Sequence, residues 1–168
     1  ISNCMDITTA QSVLAMAERY RAHVKVFRTQ PHYTPGTHID QWSQICPEPE
    51  YIQLCNTLDV PVGTQLSISS ILGDLTTHTD GWAIPLRLLW LLSPNSVSIT
   101  MGGIDAVYTT GDCCVLNSRK PHNALLVEGE YPQTWILAEV PMDQIPLSVW
   151  ASVPKEHAVF KDLYYENI

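Results

Sequence analysis

The chain from Thr64 to about Val140 is a succession of short apolar segments separated by turn residues. Around Leu66 and Val97, apolar and polar residues alternate, which is typical of strands that are buried on one face. Further strands are predicted at residues 86–92, 106–108, 113–116, 124–127 and 134–140. Short strands at this spacing predict a mainly β protein, an antiparallel sandwich or barrel.

The first third of the chain has a different character. Thr8 and Gln11 match a capping box, and the apolar face that follows predicts a helix to about Arg21. A short strand is expected at residues 24–27, and a helix near residues 51–58. Because five prolines fall between residues 30 and 61, the rest of this region is expected to be irregular.

Composition excludes several classes of protein. With 168 residues, 45% of them hydrophobic and 15% charged, the chain can bury a core, so disorder is excluded. The net charge of −8 and the scattering of nine cations predict no extended nucleic-acid surface, although a pocket for one nucleotide stays open. The longest apolar run, residues 86–92, is interrupted by Arg87 and is shorter than the roughly 20 residues of a membrane span, so no membrane contact is expected.

The cysteines and the first residues indicate a cellular location. The five cysteines form an odd set without a Cys-x-x-Cys pair, which is typical of reduced thiols. The first residues have neither the basic nor the apolar region of a signal peptide. A soluble, cytoplasmic protein is therefore expected.

The strongest chemical pattern is His78-Thr79-Asp80 with His122 forty-four residues after His78. In an extended strand, residues two apart project to the same face, so His78 and Asp80 can converge on one ion while His122 arrives from another strand. Two imidazoles and one carboxylate form the facial triad of non-haem Fe(II) oxygenases. The alternative is a pair of unrelated histidines.

The surroundings of this pattern resemble a known family. The segments LGDLTTHTDG from Leu72, PLRLLWL from Pro85, and Gly111-Asp112 eleven residues before His122 are similar to the aspartyl/asparaginyl β-hydroxylase family of Fe(II) and 2-oxoglutarate dioxygenases. The resemblance covers roughly Thr64 to Pro141. Animal members have Gly in place of the carboxylate, whereas the related free-proline hydroxylases have Asp, as here at position 80.

The resemblance implies a double-stranded β-helix, or jelly roll, with an N-terminal helix and an irregular proline-rich segment. The length of the chain suits one domain over residues 1–168: helical and irregular support in 1–61, the jelly-roll core in 62–141 and a C-terminal extension in 142–168. The resemblance implies Fe(II) held by His78, Asp80 and His122, with 2-oxoglutarate as cosubstrate. The implied substrate is an amino acid, either free as a small molecule or within a peptide. Trp82, two residues past Asp80, is expected at the substrate mouth. The oligomeric state is left open.

Two residues bear on the cosubstrate. The family has an Arg about nine residues after its first metal histidine, where Arg87 stands, and a second Arg that pairs with the distal carboxylate of 2-oxoglutarate, where this chain has Gln133. Because a buried carboxylate without a cation is costly, either Arg87 serves that carboxylate or 2-oxoglutarate is not the cosubstrate. An Arg flanked by leucines is expected to meet a buried anion.

Other patterns compete with this interpretation. His38-Ile39-Asp40 is a second His-x-Asp, interpreted as a helix start with Asp40 near its N-cap. Of the adjacent Cys113 and Cys114, one is expected in the core and the other exposed.

Two rival functions also stay open. One is a metal-binding cupin, because the segment from Gly111 to His122 resembles the second cupin motif although the first is missing. The other is a binding module of the same fold that has lost catalysis, which Gln133 favours.

Overall fold

Nine strands and four helices make up the described part of the chain. The computed structural model describes residues 5–21, 38–40, 48–80, 86–141, 144–145 and 147–158. The helices are α1 (Ile7–Arg21), α2 (Glu48–Leu58), α3 (Leu147–Ser152) and α4 (Lys155–Ala158). The strands are β1 (His38–Asp40), β2 (Gln65–Ile71), β3 (Leu75–His78), β4 (Leu86–Leu91), β5 (Ser96–Met101), β6 (Ile104–Thr109), β7 (Cys113–Asn117), β8 (His122–Glu128) and β9 (Gln133–Glu139).

The strands form two antiparallel sheets. The first has the order β1-β2-β9-β4-β7 and the second has the order β3-β8-β5-β6. From β2 to β9 the chain passes back and forth from one sheet to the other, and β2 pairs with β9. This arrangement is the double-stranded β-helix, the jelly roll of cupins. The predicted fold class is confirmed.

The first sheet is buried on both faces. In β9, Trp135 faces the space between the sheets, yet Ile136 on the opposite face is also fully buried. Ile136 belongs to one core cluster with Val13 of α1 and Leu54 of α2. Burial on both faces also explains why Cys113 and Cys114 are both fully buried, so the expectation that one is exposed was wrong.

The second sheet is buried on one face only. Along β5 the burial alternates: Val97 and Ile99 lie in the core, whereas Ser96 and Ser98 are half-buried. On its outer face Val107 and Leu125 are exposed. Period-two alternation therefore marks this sheet clearly in the sequence, as expected for a sheet with one solvated face.

The first helix begins where a side chain caps it. The backbone N–H of Thr9 donates to Asp6 Oδ1 at 2.7 Å, so Asp6 is the N-cap. Hydrogen bonds from the backbone and the side chain of Thr9 lower the pKa of Asp6. The predicted capping box at Thr8 was wrong, because the cap lies two residues earlier. The predicted end at Arg21 is confirmed, and α2 contains the helix expected near residues 51–58.

The second His-x-Asp lies in a short strand. Residues His38 to Asp40 form β1, which pairs antiparallel with β2 so that His38 lies opposite Ser70. This edge strand was not predicted, because its conformation depends on pairing with a distant segment. The helix expected to start near Asp40 would lie in residues 41–47, outside the described residues. The strand expected at residues 24–27 lies outside the described residues.

The C-terminal helix α4 is attached to the jelly roll through a buried histidine. His157 Nε2 lies 2.8 Å from the carbonyl oxygen of Ile104, and Nδ1 lies 2.7 Å from the hydroxyl of Tyr108. Because a carbonyl only accepts, Nε2 carries the hydrogen and Nδ1 of the neutral ring accepts from Tyr108. Burial lowers the pKa of His157. The hydrogen bond to Ile104 and the negative charges of Glu156 and Asp105 act to raise this pKa, but burial has the larger effect. Among the described helices, none is long and apolar enough to cross a membrane.

The lowered pKa of His157 makes stability depend on pH. In the unfolded chain this residue takes up a proton below about pH 6.5, whereas the folded protein resists that protonation. We therefore expect the free energy of unfolding to fall as the pH decreases from about 7.5 to about 5.5, and part of this fall to be missing in His157→Gln. Urea denaturation of the wild-type protein and of His157→Gln at the two pH values measures this change in the free energy of unfolding. Equal losses of stability in the two proteins would contradict the assignment.

Candidate metal centre

The pairing of β3 with β8 brings two histidines together. His78 lies directly opposite His122, and Leu75 lies opposite Ala124. Three steps along β3 thus match two along β8, so β3 contains one extra residue. In a regular strand Leu75 and Thr77 would share a face, but the extra residue turns His78 inward instead, beside Leu75. A bulge of this kind re-aims a side chain.

Asp80 completes the cluster from the loop after β3. Its backbone N–H donates to the carbonyl oxygen of Ser118 at 2.8 Å, which ties this loop to the turn before β8. Its carboxylate oxygens lie 3.6 Å from His78 Nε2 and 3.6 Å from His122 Nε2. The three potential ligand atoms all lie within 4.8 Å of one another. The expected convergence is found, although β3 ends at His78 and does not continue through Asp80.

Backbone carbonyls orient both imidazoles. His78 Nδ1 lies 2.6 Å from the carbonyl oxygen of Thr76, and His122 Nδ1 lies 2.8 Å from that of Lys120. Since a carbonyl accepts only, each Nδ1 carries a hydrogen, and Nε2 is the nitrogen of each ring that faces Asp80. Metal-binding histidines are typically held in this way. Two nitrogens and one carboxylate on one side of a point suit Fe(II) and related divalent ions.

A cavity between the sheets opens onto this cluster. Its volume is about 60 Å³, room for a small molecule of several heavy atoms, since one water needs about 10–15 Å³ by the same measure. The wall is mainly apolar, and its lining includes Ile71, Leu75, Ile99, Leu116, Trp135 and Leu137. Among the described lining residues, Arg87 is the one Lys or Arg.

Arg87 lines the cavity and has an acidic partner. Its side chain is buried, and Nη2 donates to Glu139 Oε1 at 3.2 Å. The pair forms because β4 and β9 are neighbours in the first sheet. An anion does lie beside Arg87, but it is Glu139 of the same chain, whose side chain is half-buried. Sequence reasoning missed Glu139, since only the strand register links residues so far apart in the chain.

Gln133 lies on the inward face of β9. It is fully buried, opposite Ile71 and two residues from Trp135, and both of these neighbours line the cavity. Its Oε1 accepts a hydrogen bond from the indole Nε1 of Trp135 at 2.9 Å. Trp82, the expected substrate contact, lies outside the described residues.

Comparison with known proteins finds similarity at the level of solved structures. No protein-family model matches the chain, and no curated protein is significantly similar to it. Protein NMB1881 from Neisseria meningitidis is 15% identical, with a TM-score of 0.42 over 74% of this chain and 95% of that one. HutD from Pseudomonas fluorescens SBW25 is 16% identical, with a TM-score of 0.40 over 47% of this chain and 42% of that one.

A third solved structure, hydroxypropylphosphonic acid epoxidase from S. wedmorenis, is 13% identical, with a TM-score of 0.38 over 46% of this chain and 43% of that one. The chain spans 65% of the Streptococcus pyogenes protein SPY1581, to which it is 19% identical with a TM-score of 0.36, over 46% of this chain. It spans less than half of HutD and of the epoxidase.

Removal of one histidine tests the metal centre. His122→Ala leaves two ligands, which hold a divalent ion poorly, so stoichiometric binding of Mn(II) or Fe(II) should be lost. His38→Ala is the control, because it removes the histidine of the other His-x-Asp sequence. Anaerobic calorimetry measures both variants, and loss of binding in His38→Ala with retention in His122→Ala would contradict the assignment.

Proposed function

We propose that this protein is a mononuclear, Fe(II)-dependent oxygenase of the hydroxylase type. The observation that carries the proposal is the convergence of His78, Asp80 and His122 at one end of an apolar cavity. The ligand set is the two-histidine, one-carboxylate triad that leaves positions open for other molecules. The resemblance to the aspartyl/asparaginyl β-hydroxylases favours an amino acid, free or within a peptide, as the substrate.

The chain's residues have separate tasks in this proposal. The three ligands would hold the ion, and the carbonyls of Thr76 and Lys120 keep both imidazoles in the required tautomer. The bound iron would supply the activation of dioxygen for hydroxylation of a C–H bond. The apolar wall excludes water from the space beside the ion, which strengthens electrostatic interactions there. Trp82 remains a proposed substrate contact.

The proposed cosubstrate is a 2-oxo acid, with 2-oxoglutarate as the one that the resemblance implies. Arg87 is its proposed carboxylate partner, because it is the cation in the described lining of the cavity. Glu139 would then position the guanidinium and share it with the ligand. A planar guanidinium with five N–H donors is suited to contact two carboxylates.

A second candidate function is a cupin-type metal enzyme that does not use 2-oxoglutarate. Two observations favour it: Glu139 already neutralises Arg87, and an uncharged Gln133 stands at the position of the family's second arginine. The same residues favour a third possibility, a binding module of the same fold that has lost catalysis. Turnover without the unknown substrate separates these candidates from the hydroxylase.

The first test measures succinate. Enzymes of the proposed class convert 2-oxoglutarate slowly to succinate without their main substrate, because the open metal positions still admit dioxygen. With Fe(II) and ascorbate the protein should release succinate above a metal-free control, and Asp80→Ala, which removes one ligand, should suppress this release. An absence of succinate from protein with confirmed metal binding would favour the second candidate.

The second test concerns Arg87. Arg87→Leu should weaken 2-oxoglutarate binding at least about tenfold, since a charge-assisted hydrogen bond is lost, and should leave Mn(II) binding unchanged. Arg119→Leu is a matched control, because it removes one positive charge from an exposed position in the turn before β8. Calorimetry on Mn(II)-loaded protein measures both variants. Native affinity in Arg87→Leu would show that the carboxylate binds elsewhere.

A further inference from the structure

An open cleft lies at the end of the first sheet where β9 ends. It is lined by residues 61–65 before and at the start of β2, by Glu139 of β9, and by Pro141 and Gln144 after that strand. Its volume is about 380 Å³. Among the described residues that line it, Glu139 is the one charged side chain. The cleft is therefore a polar space with one carboxylate in its wall.

One row of side chains connects this cleft with the metal cavity. Arg87 lies opposite Leu116 of β7, Glu139 lies opposite Gln65 of β2, and the ion pair of Arg87 with Glu139 joins the two halves of the row. Leu116 and Arg87 line the metal cavity, whereas Glu139 and Gln65 line the cleft. Neighbouring strands lie about 4.8 Å apart, so the cleft begins one strand away from the cavity. An extended ligand at the metal centre is within reach of it.

One wall of the cleft is held in shape by a side chain of α2. The hydroxyl of Tyr51 accepts from the backbone N–H of Gly63 at 2.9 Å and donates to the carbonyl oxygen of Thr64 at 2.7 Å. The hydroxyl of Thr64 in turn donates to the carbonyl oxygen of Pro61 at 2.6 Å. These bonds fix the turn before β2 without any ligand. A preformed wall of this kind lowers the entropy cost of binding.

The carboxylate of Glu139 is the accessible half of the ion pair. Its side chain is 24% exposed, against 9% for Arg87. Within the described part of the chain, its one hydrogen bond comes from Arg87 Nη2 to Oε1. An ionised carboxylate has about four acceptor positions. Glu139 thus retains acceptor capacity at the wall of the cleft.

The charges of the proposed site favour a cation in this position. A cosubstrate carboxylate at Arg87 would share one guanidinium with Glu139, so one negative charge would stay unbalanced in a half-buried place, which is unfavourable. A positively charged group in the cleft would balance it. Ammonium and guanidinium groups donate several charged N–H bonds, which are the strongest partners of a carboxylate.

We propose that the cleft is a substrate subsite for a cationic group, an ammonium or a guanidinium, with Glu139 as its acceptor. The inference rests on the proposed function and narrows its substrate class. The substrate is an amino acid or peptide with a positively charged side chain, whose charge lies several bonds from the C–H bond that is hydroxylated. Glu139 is the specificity-determining residue, in contact with Arg87 on one side and with the substrate on the other.

L-Arginine and L-citrulline are matched probes for this subsite. The two amino acids have almost the same size and share the same backbone groups, and they differ in the charge at the end of the side chain. In calorimetric titrations of Mn(II)-loaded protein that contains 2-oxoglutarate, L-arginine should bind about fivefold more tightly than L-citrulline, as expected for one ion pair at a partly exposed site. This comparison needs no variant.

Variants assign the preference to one carboxylate. Glu139→Gln keeps the shape of the side chain without its charge, so the two probes should bind equally. Gln65→Glu places a second carboxylate opposite Glu139 and should increase the preference for L-arginine above the wild-type ratio. Glu128→Gln is the matched control, because it removes an exposed glutamate at the end of β8 away from His122, and it should keep the wild-type ratio.

The opposite outcomes overturn the inference. Equal binding of the two probes by the wild-type protein, or binding of neither, leaves the metal centre standing and excludes the cationic subsite. A wild-type ratio in Glu139→Gln or in Gln65→Glu would show that the cation binds elsewhere. Protein that binds no Mn(II) overturns the proposed function instead; a preference for L-arginine in that protein, lost in Glu139→Gln, would still support the cleft as a cation site.

Discussion

Antiparallel pairing of β3 with β8 places His78 opposite His122, and one extra residue in β3 turns His78 toward the interior. Both imidazoles then face Asp80, whose loop is held by a backbone hydrogen bond to Ser118. Without the extra residue, the period of two along a strand would direct His78 to the solvent side of the sheet. The clustering of these three side chains therefore depends on an irregularity of one residue in one strand.

The first sheet forms one wall of the cavity beside this cluster. Its strands are covered by the second sheet on one face and belong to a core shared with α1 and α2 on the other. Strands packed on both sides hold their side chains in defined rotamers. Arg87 and Gln133 consequently occupy defined positions, one on β4 at the cavity and one at the start of β9 beside it. A binding site built on such strands is more precise than one built on loops.

Glu139 is the partner of Arg87, which is the one Lys or Arg among the described residues that line the cavity. In the proposed site, a ligand carboxylate would share the guanidinium with Glu139, which its five N–H donors allow. The affinity of that site for a charged ligand would therefore depend on a cross-strand ion pair as well as on the proposed metal ligands.

Local patterns in the sequence determined seven of the nine described strands, α1, α2 and the three candidate ligands. Alternation, helical periodicity and ligand spacing act over a few residues, whereas β1 and β3 are too short to show such a pattern. The jelly roll came from the resemblance, and the order of strands bears it out. The features that sequence reasoning missed are set by distant partners. The strand β1 at His38 needs β2, and the burial of both Cys113 and Cys114 needs cover on two faces. Only the tertiary structure decided the extra residue in β3 and the pairing of Arg87 with Glu139, since both depend on strand register between segments far apart in the chain.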